Sequence, residues 1–201
     1  MKQILAILIG LAMSTAVFAQ FKKGTMMVGG GFSATFNKDK TKSGSTTVTN
    51  GTVNSISMFP QAGYFIMDNL AVGAGVDMSS TTSKAQGSNN KSTSTSVSLA
   101  PFARYYYQKF YGQFAFNLGT GNFKDTFGST TTDNKYSTAG WNMAVGYAIL
   151  LNEHVAVEPQ LGYGSTSEKY KAVGTVPSYT DSQSGLFVRI GLQIYLSKFG
   201  K

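Results

Sequence analysis

The stretch from Leu186 to Leu196 alternates without a break. Leu186, Val188, Ile190, Leu192, Ile194 and Leu196 are branched aliphatics, and Phe187, Arg189, Gly191, Gln193 and Tyr195 lie between them. Side chains leave a strand on opposite sides at every second residue, so this predicts a strand with one apolar and one mixed face. A tilted strand needs about 9–11 residues to cross a bilayer, and this one is long enough. Seven further stretches alternate in the same way: 25–37, 53–66, 70–79, 95–107, 111–123, 138–150 and 155–165. In the third, for example, the apolar parity is Leu70, Val72, Ala74, Val76 and Met78. Eight strands, an even number, predict an all-β chain closed into an eight-stranded antiparallel transmembrane up-and-down β-barrel.

The connections alternate too. Residues 67–69, 108–110 and 151–154 are hairpin-sized, whereas 38–52, 80–94, 124–137 and 166–184 are read as long loops. Short turns on one side and long loops on the other is the asymmetry of an outer-membrane barrel, with the short side periplasmic. The loop 80–94 is nearly all Ser, Thr, Asn and Lys, cannot bury itself, and is expected to be mobile. Pro60, Pro101 and Pro159 fall in mid-strand on the apolar parity, where bulges or local bends are expected.

A soluble barrel would alternate as well, with its faces exchanged. Glycine decides between the two. Gly29, Gly31, Gly63, Gly73, Gly75, Gly119, Gly121, Gly146, Gly162, Gly164 and Gly191 all take the polar parity. Bare glycine makes a poor face toward water but suits the narrow interior that eight strands enclose. The apolar parity carries Tyr64, Tyr105, Tyr107, Trp141, Tyr147 and Tyr163, rings suited to the two membrane interfaces.

Composition narrows the picture further. Only 13% of residues are charged, low for a chain surrounded by water, and cysteine is absent, which removes disulfides and thiolate metal sites. Lys2, the apolar run from Ile4 to Ala12 and Val17-Phe18-Ala19 fit a signal peptide over 1–19, leaving 20–201 as the barrel domain. The net charge of +8 is concentrated in the loops rather than on an aromatic-laced stripe, so no nucleic acid is expected as partner.

The signal peptide, the eight strands, the hairpin 63–75 (GYFIMDNLAVGAG) and the closing strand together resemble the small outer-membrane β-barrel domain family, similar in architecture to OmpA/OmpX-type barrels. The resemblance implies a place in the cell outer membrane as a monomer, with lipid and lipopolysaccharide as neighbours and the barrel-assembly machinery as a partner during biogenesis. One departure is that Ser197 to Lys201 follow Tyr195, where such barrels often end on the aromatic that the assembly machinery reads.

Four charges take the lumen parity: Asp77, Arg104, Glu158 and Arg189. In a narrow interior they must find partners, because an unpaired buried charge is strongly unfavourable. Arg104 and Glu158 lie close to the short turns, and Asp77 and Arg189 lie deeper. Either a gate or a structural plug would use such a cluster, and small barrels are filled rather than open. His154, the one histidine, falls in a periplasmic turn, at the wrong end for a lipid-acting hydrolase that needs serine, histidine and carboxylate together at the outer rim. Gly73-Ala-Gly75 and Gly119-Thr-Gly121 lack the strand–turn–helix setting of a nucleotide site, and no metal cluster or cofactor is expected. Lys38, Lys40, Lys42, Lys84, Lys91, Lys124, Lys135, Lys169 and Lys171, against Asp39, Asp125, Asp133, Glu168 and Asp181, give the loops a net positive rim toward lipopolysaccharide phosphates. The function expected is therefore that of a non-enzymatic outer-membrane protein with an envelope or surface-loop role. A narrow channel for ions or small solutes is the other reading, and a lipid-modifying enzyme is a weaker third.

Overall fold

The structure, a computed structural model, describes residues 21–43, 46–88, 90–171 and 177–196, with backbone alone over 39–50. The expected signal peptide and Ser197 to Lys201 lie outside the described residues. Ten strand segments follow one another: β1 (Met26–Ser43), β2 (Thr46–Met58), β3 (Gln61–Met67), β4 (Leu70–Ala85), β5 (Lys91–Tyr107), β6 (Phe110–Phe127), β7 (Thr130–Tyr147), β8 (Ile149–Leu150), β9 (Val155–Tyr170) and β10 (Tyr179–Leu196). β2 and β3 form one stave, and so do β7 and β8, which makes eight. Every neighbouring pair is antiparallel, and β10 returns to pair with β1 from Met26↔Leu196 to Gly31↔Gly191, so the ring closes.

The outer wall carries the aliphatic parity. Leu99, Leu118, Val145, Leu161, Val188 and Ile190 are all more than half exposed, a belt that water would not tolerate and hydrocarbon requires. Tyr64, Tyr105 and Tyr107 stand exposed near the short turns, with the half-buried Tyr147 packed edge-on against Phe110. Trp141 and Tyr163 lie 6.1 Å apart near the opposite edge, where the outward parity gives way to Ser137 and Ser165.

The glycine wall faces inward and makes room for rings. A Cβ on Gly31 would overlap the Phe59 ring, one on Gly121 the Tyr136 ring, one on Gly146 the Tyr111 ring and one on Gly162 the Phe187 ring. Glycine in a strand marks such a close approach, and here an aromatic from a nearby stave covers the bare backbone.

Two expectations need correction. The stretches read as long loops are mostly paired strand. The hairpin ladders run out to Ser43↔Thr46, Lys84↔Lys91, Phe127↔Thr130 and Tyr170↔Tyr179. Threonine suits a pleated strand, and cross-strand hydroxyl pairs add to the backbone ladder: Ser79 with Ser96 at 2.7 Å, Ser55 with Thr81 at 3.0 Å and Ser167 with Ser182 at 2.9 Å. The prolines, for their part, insert no extra residue. Phe32↔Met58 and Val28↔Ala62 keep one register across Pro60, and Leu99↔Leu118 and Phe102↔Ala115 keep one across Pro101. Pro159 pairs Ile190 inside a continuous ladder. What remains is local: strand pairing lapses at Phe59 and Pro60, between β2 and β3, and at Ala100 and Pro101 toward β6. The register shifts lie elsewhere, at Asp39/Lys40 and between Phe65 and Met67.

The short-turn end is closed by the segment before β1. Phe21 is 2% exposed and its carbonyl accepts from the Asn69 amide at 2.7 Å. Asp68 holds this segment by accepting from the Lys23 amide at 2.9 Å and the Lys22 ammonium at 3.1 Å. These two donors, the backbone amide first, keep the Asp68 carboxyl below its ordinary value. A lowered carboxyl adds stability above the ordinary carboxylate range, and that contribution is lost as pH falls through the lowered value. The Lys23 amide resonance should therefore titrate with a midpoint below that of a free aspartate, and Asp68→Asn should leave it flat, as followed by NMR.

Candidate functional site

The lumen site lies within the membrane span, where β5 and β9 bring Arg104 and Glu158 inward. Arg104 Nη1 donates to Glu158 Oε2 at 2.7 Å, and both side chains are almost fully buried. Alternation dictates that even-numbered residues on both strands face the interior, and β5 and β9 reach each other across the barrel rather than along the wall. The pair does not stand alone. Arg104 Nε donates to Gln113 Oε1 at 2.7 Å, and Nη1 also donates to Tyr106 Oη at 3.0 Å. Tyr195 donates to Glu158 Oε1, and the Tyr106 and Tyr195 hydroxyls share a bond of 2.8 Å. The guanidinium lies 4.3 Å from the centre of the Tyr111 ring, close enough for a cation–π contact. Both charges are thus taken from water with hydrogen-bond partners on each side, which a buried ion pair requires.

Below this network the lumen is solid. Phe21 stacks on Tyr106 with centroids 4.1 Å apart and meets Tyr195 edge-on at 5.4 Å; Phe65 and Met27 complete the plug, each fully buried. Above it the four charges singled out from the sequence border one cavity of about 30 Å³, room for roughly a single water. The two deeper charges, Asp77 and Arg189, form no ion pair. Arg189 is stacked between Phe59 and Phe187, its guanidinium 4.8 Å and 4.5 Å from the ring centres, and Asp77 faces it across the cavity without an ion-pair contact. Higher still, the lumen widens into a vestibule of about 410 Å³ lined by serine and threonine hydroxyls with Asp77, Glu168, Asp181 and Arg189.

Tyr106, Tyr195, Gln113 and Phe59 belong to this site but were not among the residues singled out from sequence. For Tyr106 the signal was present: it sits between the outward Tyr105 and Tyr107, so alternation places it inside, two residues from Arg104. His154 stays in the turn after β8, exposed, with Nδ1 3.1 Å from the Tyr195 carbonyl oxygen. Among the described residues no three His, Cys, Asp or Glu side chains come together as a metal site would need.

No protein-family model and no curated protein sequence matches the chain. Solved structures do. Neisserial surface protein A aligns over 86% of this chain and 97% of its own, at 16% identity and a TM-score of 0.45. The outer membrane protein OprG from Pseudomonas aeruginosa aligns over 88% and 97%, at 14% identity and 0.45. The outer membrane protein AlkL, solved in DMPC bilayers, aligns over 92% and 96%, at 14% identity and 0.49. The closed antiparallel ring, the aliphatic belt and the ring-filled lumen are features of this chain itself. It is a closed eight-stranded antiparallel β-barrel whose outward aliphatic belt suits a bilayer.

Proposed function

We propose that the protein is a non-enzymatic scaffold of the cell envelope, whose plugged barrel holds a collar of β-hairpins against the lipopolysaccharide layer. The observation that supports this is the sorting of charge across the wall of the hairpins. Lys38, Lys84, Lys91, Lys124, Lys135 and Lys169 share the parity of the aliphatic belt and continue it beyond the membrane. Asp125, Glu168 and Asp181 take the lumen parity, and Asp125 accepts there from Ser92. Asp133, beside Asn122, is the outward acid. A ring of ammonium groups on the outer wall beyond the aliphatic belt is set to face lipopolysaccharide phosphates, and the acids that would cancel it mostly sit behind the wall.

Exposed charges are screened over about 10 Å at 0.1 M salt, so the association should weaken as salt rises. Replacing Lys84, Lys91, Lys124 and Lys135 together by glutamine should lower the affinity of the refolded barrel for purified lipopolysaccharide and flatten its salt dependence. An affinity unchanged by both salt and the four substitutions would remove the basis of this reading.

A further inference from the structure

The wall of the barrel is not equally closed all the way round. β1 and β10 pair only as far as Gly31↔Gly191, although β1 runs on to Ser43 and β10 begins at Tyr179. Among the described residues the other interfaces between staves carry on well above this level: β9 and β10 pair up to Tyr170↔Tyr179, and β1 and β2 up to Ser43↔Thr46. The facing segments of β1 and β10 are accordingly exposed on both parities. Leu186 is 77% and Phe36 70% exposed, and Thr35, Asn37, Gln183 and Gly185 of the lumen parity are exposed as well. This seam begins inside the aliphatic belt, since Phe32, Phe36, Val188 and Ile190 all face outward alongside it.

Unpaired strand edges are not sustained against hydrocarbon, and at membrane depth they persist only where they line a polar cavity. Behind the seam lies such a space, the vestibule of about 410 Å³, which reaches Ser33 of β1 and Phe187 to Arg189 of β10. Outside the seam an apolar groove of about 610 Å³ runs down the wall, over Gly29 to Gly31 and between Phe32, Met58, Ile190 and Leu192. Met58 borders both spaces. The vestibule floor is shut by the Phe59–Arg189–Phe187 stack and the Arg104 network beneath it. The chamber therefore opens upward and sideways. Its charge is one-sided, with Asp77, Glu168 and Asp181 against the single guanidinium of Arg189. Asn117, 9% exposed on the same lining, has a carbonyl oxygen with no hydrogen-bond partner.

We infer that the seam above Gly31 and Gly191 is a lateral binding site for a single-chain amphiphile with a cationic, hydrogen-bond-donating head. The head occupies the vestibule among the carboxylates and the Asn117 carbonyl. The chain leaves through the seam and lies along the apolar groove in the outer leaflet. This does not depend on the lysine collar, which faces the other side of the wall.

Dodecylamine is a suitable probe, added to the full barrel in phosphatidylcholine nanodiscs and followed by amide NMR, with dodecyl sulfate and butylamine as head and tail controls. Saturable shifts are expected at Gly31, Ser33, Asp77, Arg189 and Gly191 with dodecylamine. Dodecyl sulfate should bind at least about tenfold more weakly, as a like-charged head demands, and butylamine should leave these signals unchanged. The chain has no cysteine, so Ala34→Cys with Val188→Cys, oxidised, can staple the seam and should abolish the seam shifts. If the staple does not form, Asp77→Asn decides, and it should weaken dodecylamine severalfold while dodecyl sulfate does not lose affinity. Shifts spread around the whole belt whatever the head, or unchanged by the staple or by Asp77→Asn, would overturn the site. So would slow hydrogen exchange at the seam-facing amides from Phe32 to Phe36, because it would mean the ladder continues. Lipopolysaccharide binding tests the collar separately and can succeed or fail independently.

Discussion

Replacing Arg104 by alanine should cost the barrel about 3–5 kcal/mol, because it leaves the Glu158 carboxylate buried without its counter-charge. The loss is larger than truncating an exposed charge would cause, since Gln113, Tyr106 and Tyr195 are all oriented by the pair. Adding Glu158→Gln to the alanine variant should recover a substantial part of that loss, on the order of 1–2 kcal/mol, because a neutral amide costs less to bury than an unpaired carboxylate. Urea-driven unfolding of the refolded protein in lipid vesicles, read from gel mobility of unheated samples, measures both. If Arg104→Ala and wild type unfold at the same urea concentration, the buried pair does not hold the lumen together. A single variant more stable than the double would likewise contradict the charge argument.

Truncating Phe21 and Tyr106 to alanine should thin the plug and lower stability. Each large buried ring deleted costs about 3–5 kcal/mol on its own, and since the two stack at 4.1 Å their costs will not add. In planar bilayers the wild-type barrel is predicted to show no steady conductance, because the cavity between the charges is only about 30 Å³ and the rings below it are fully packed. The double variant thins the plug beneath the Arg104 network, but the Phe59–Arg189–Phe187 stack still floors the vestibule, so it too should show no steady conductance. Steady channels from the wild type would favour the narrow-pore reading of the lumen over the scaffold.

The strands and their facing were legible because two independent patterns agreed, aliphatics on one parity and glycine on the other. The glycines carried the argument for inside against outside, and the structure supplies its physical reason in the rings of Phe59, Tyr111, Tyr136 and Phe187 that overlie Gly31, Gly146, Gly121 and Gly162. Strand ends were not legible. Hydrophobic periodicity stops where the lipid stops, whereas the backbone ladder continues in water on hydroxyl pairs such as Ser79 with Ser96, and Ser/Thr repeats resemble loop sequence. Arg104 and Glu158 pair as charge and depth suggest. Asp77 and Arg189 do not, because counting opposite charges by depth ignores the alternative open to arginine, a seat between two aromatic rings. The partial closure between β1 and β10 was invisible to any pattern along one strand, as it is a property of two edges that are far apart in sequence.

The aliphatic parity of the wall meets hydrocarbon and the glycine parity does not. Trp141 is the only tryptophan in the chain and lies on the aliphatic parity beside Tyr163. Its fluorescence in vesicles of lipids brominated along the acyl chain reads that facing. Strong quenching relative to unbrominated lipid is expected, greatest with bromines near the headgroup end of the chain. Emission indifferent to bromination at every depth would turn the barrel inside out.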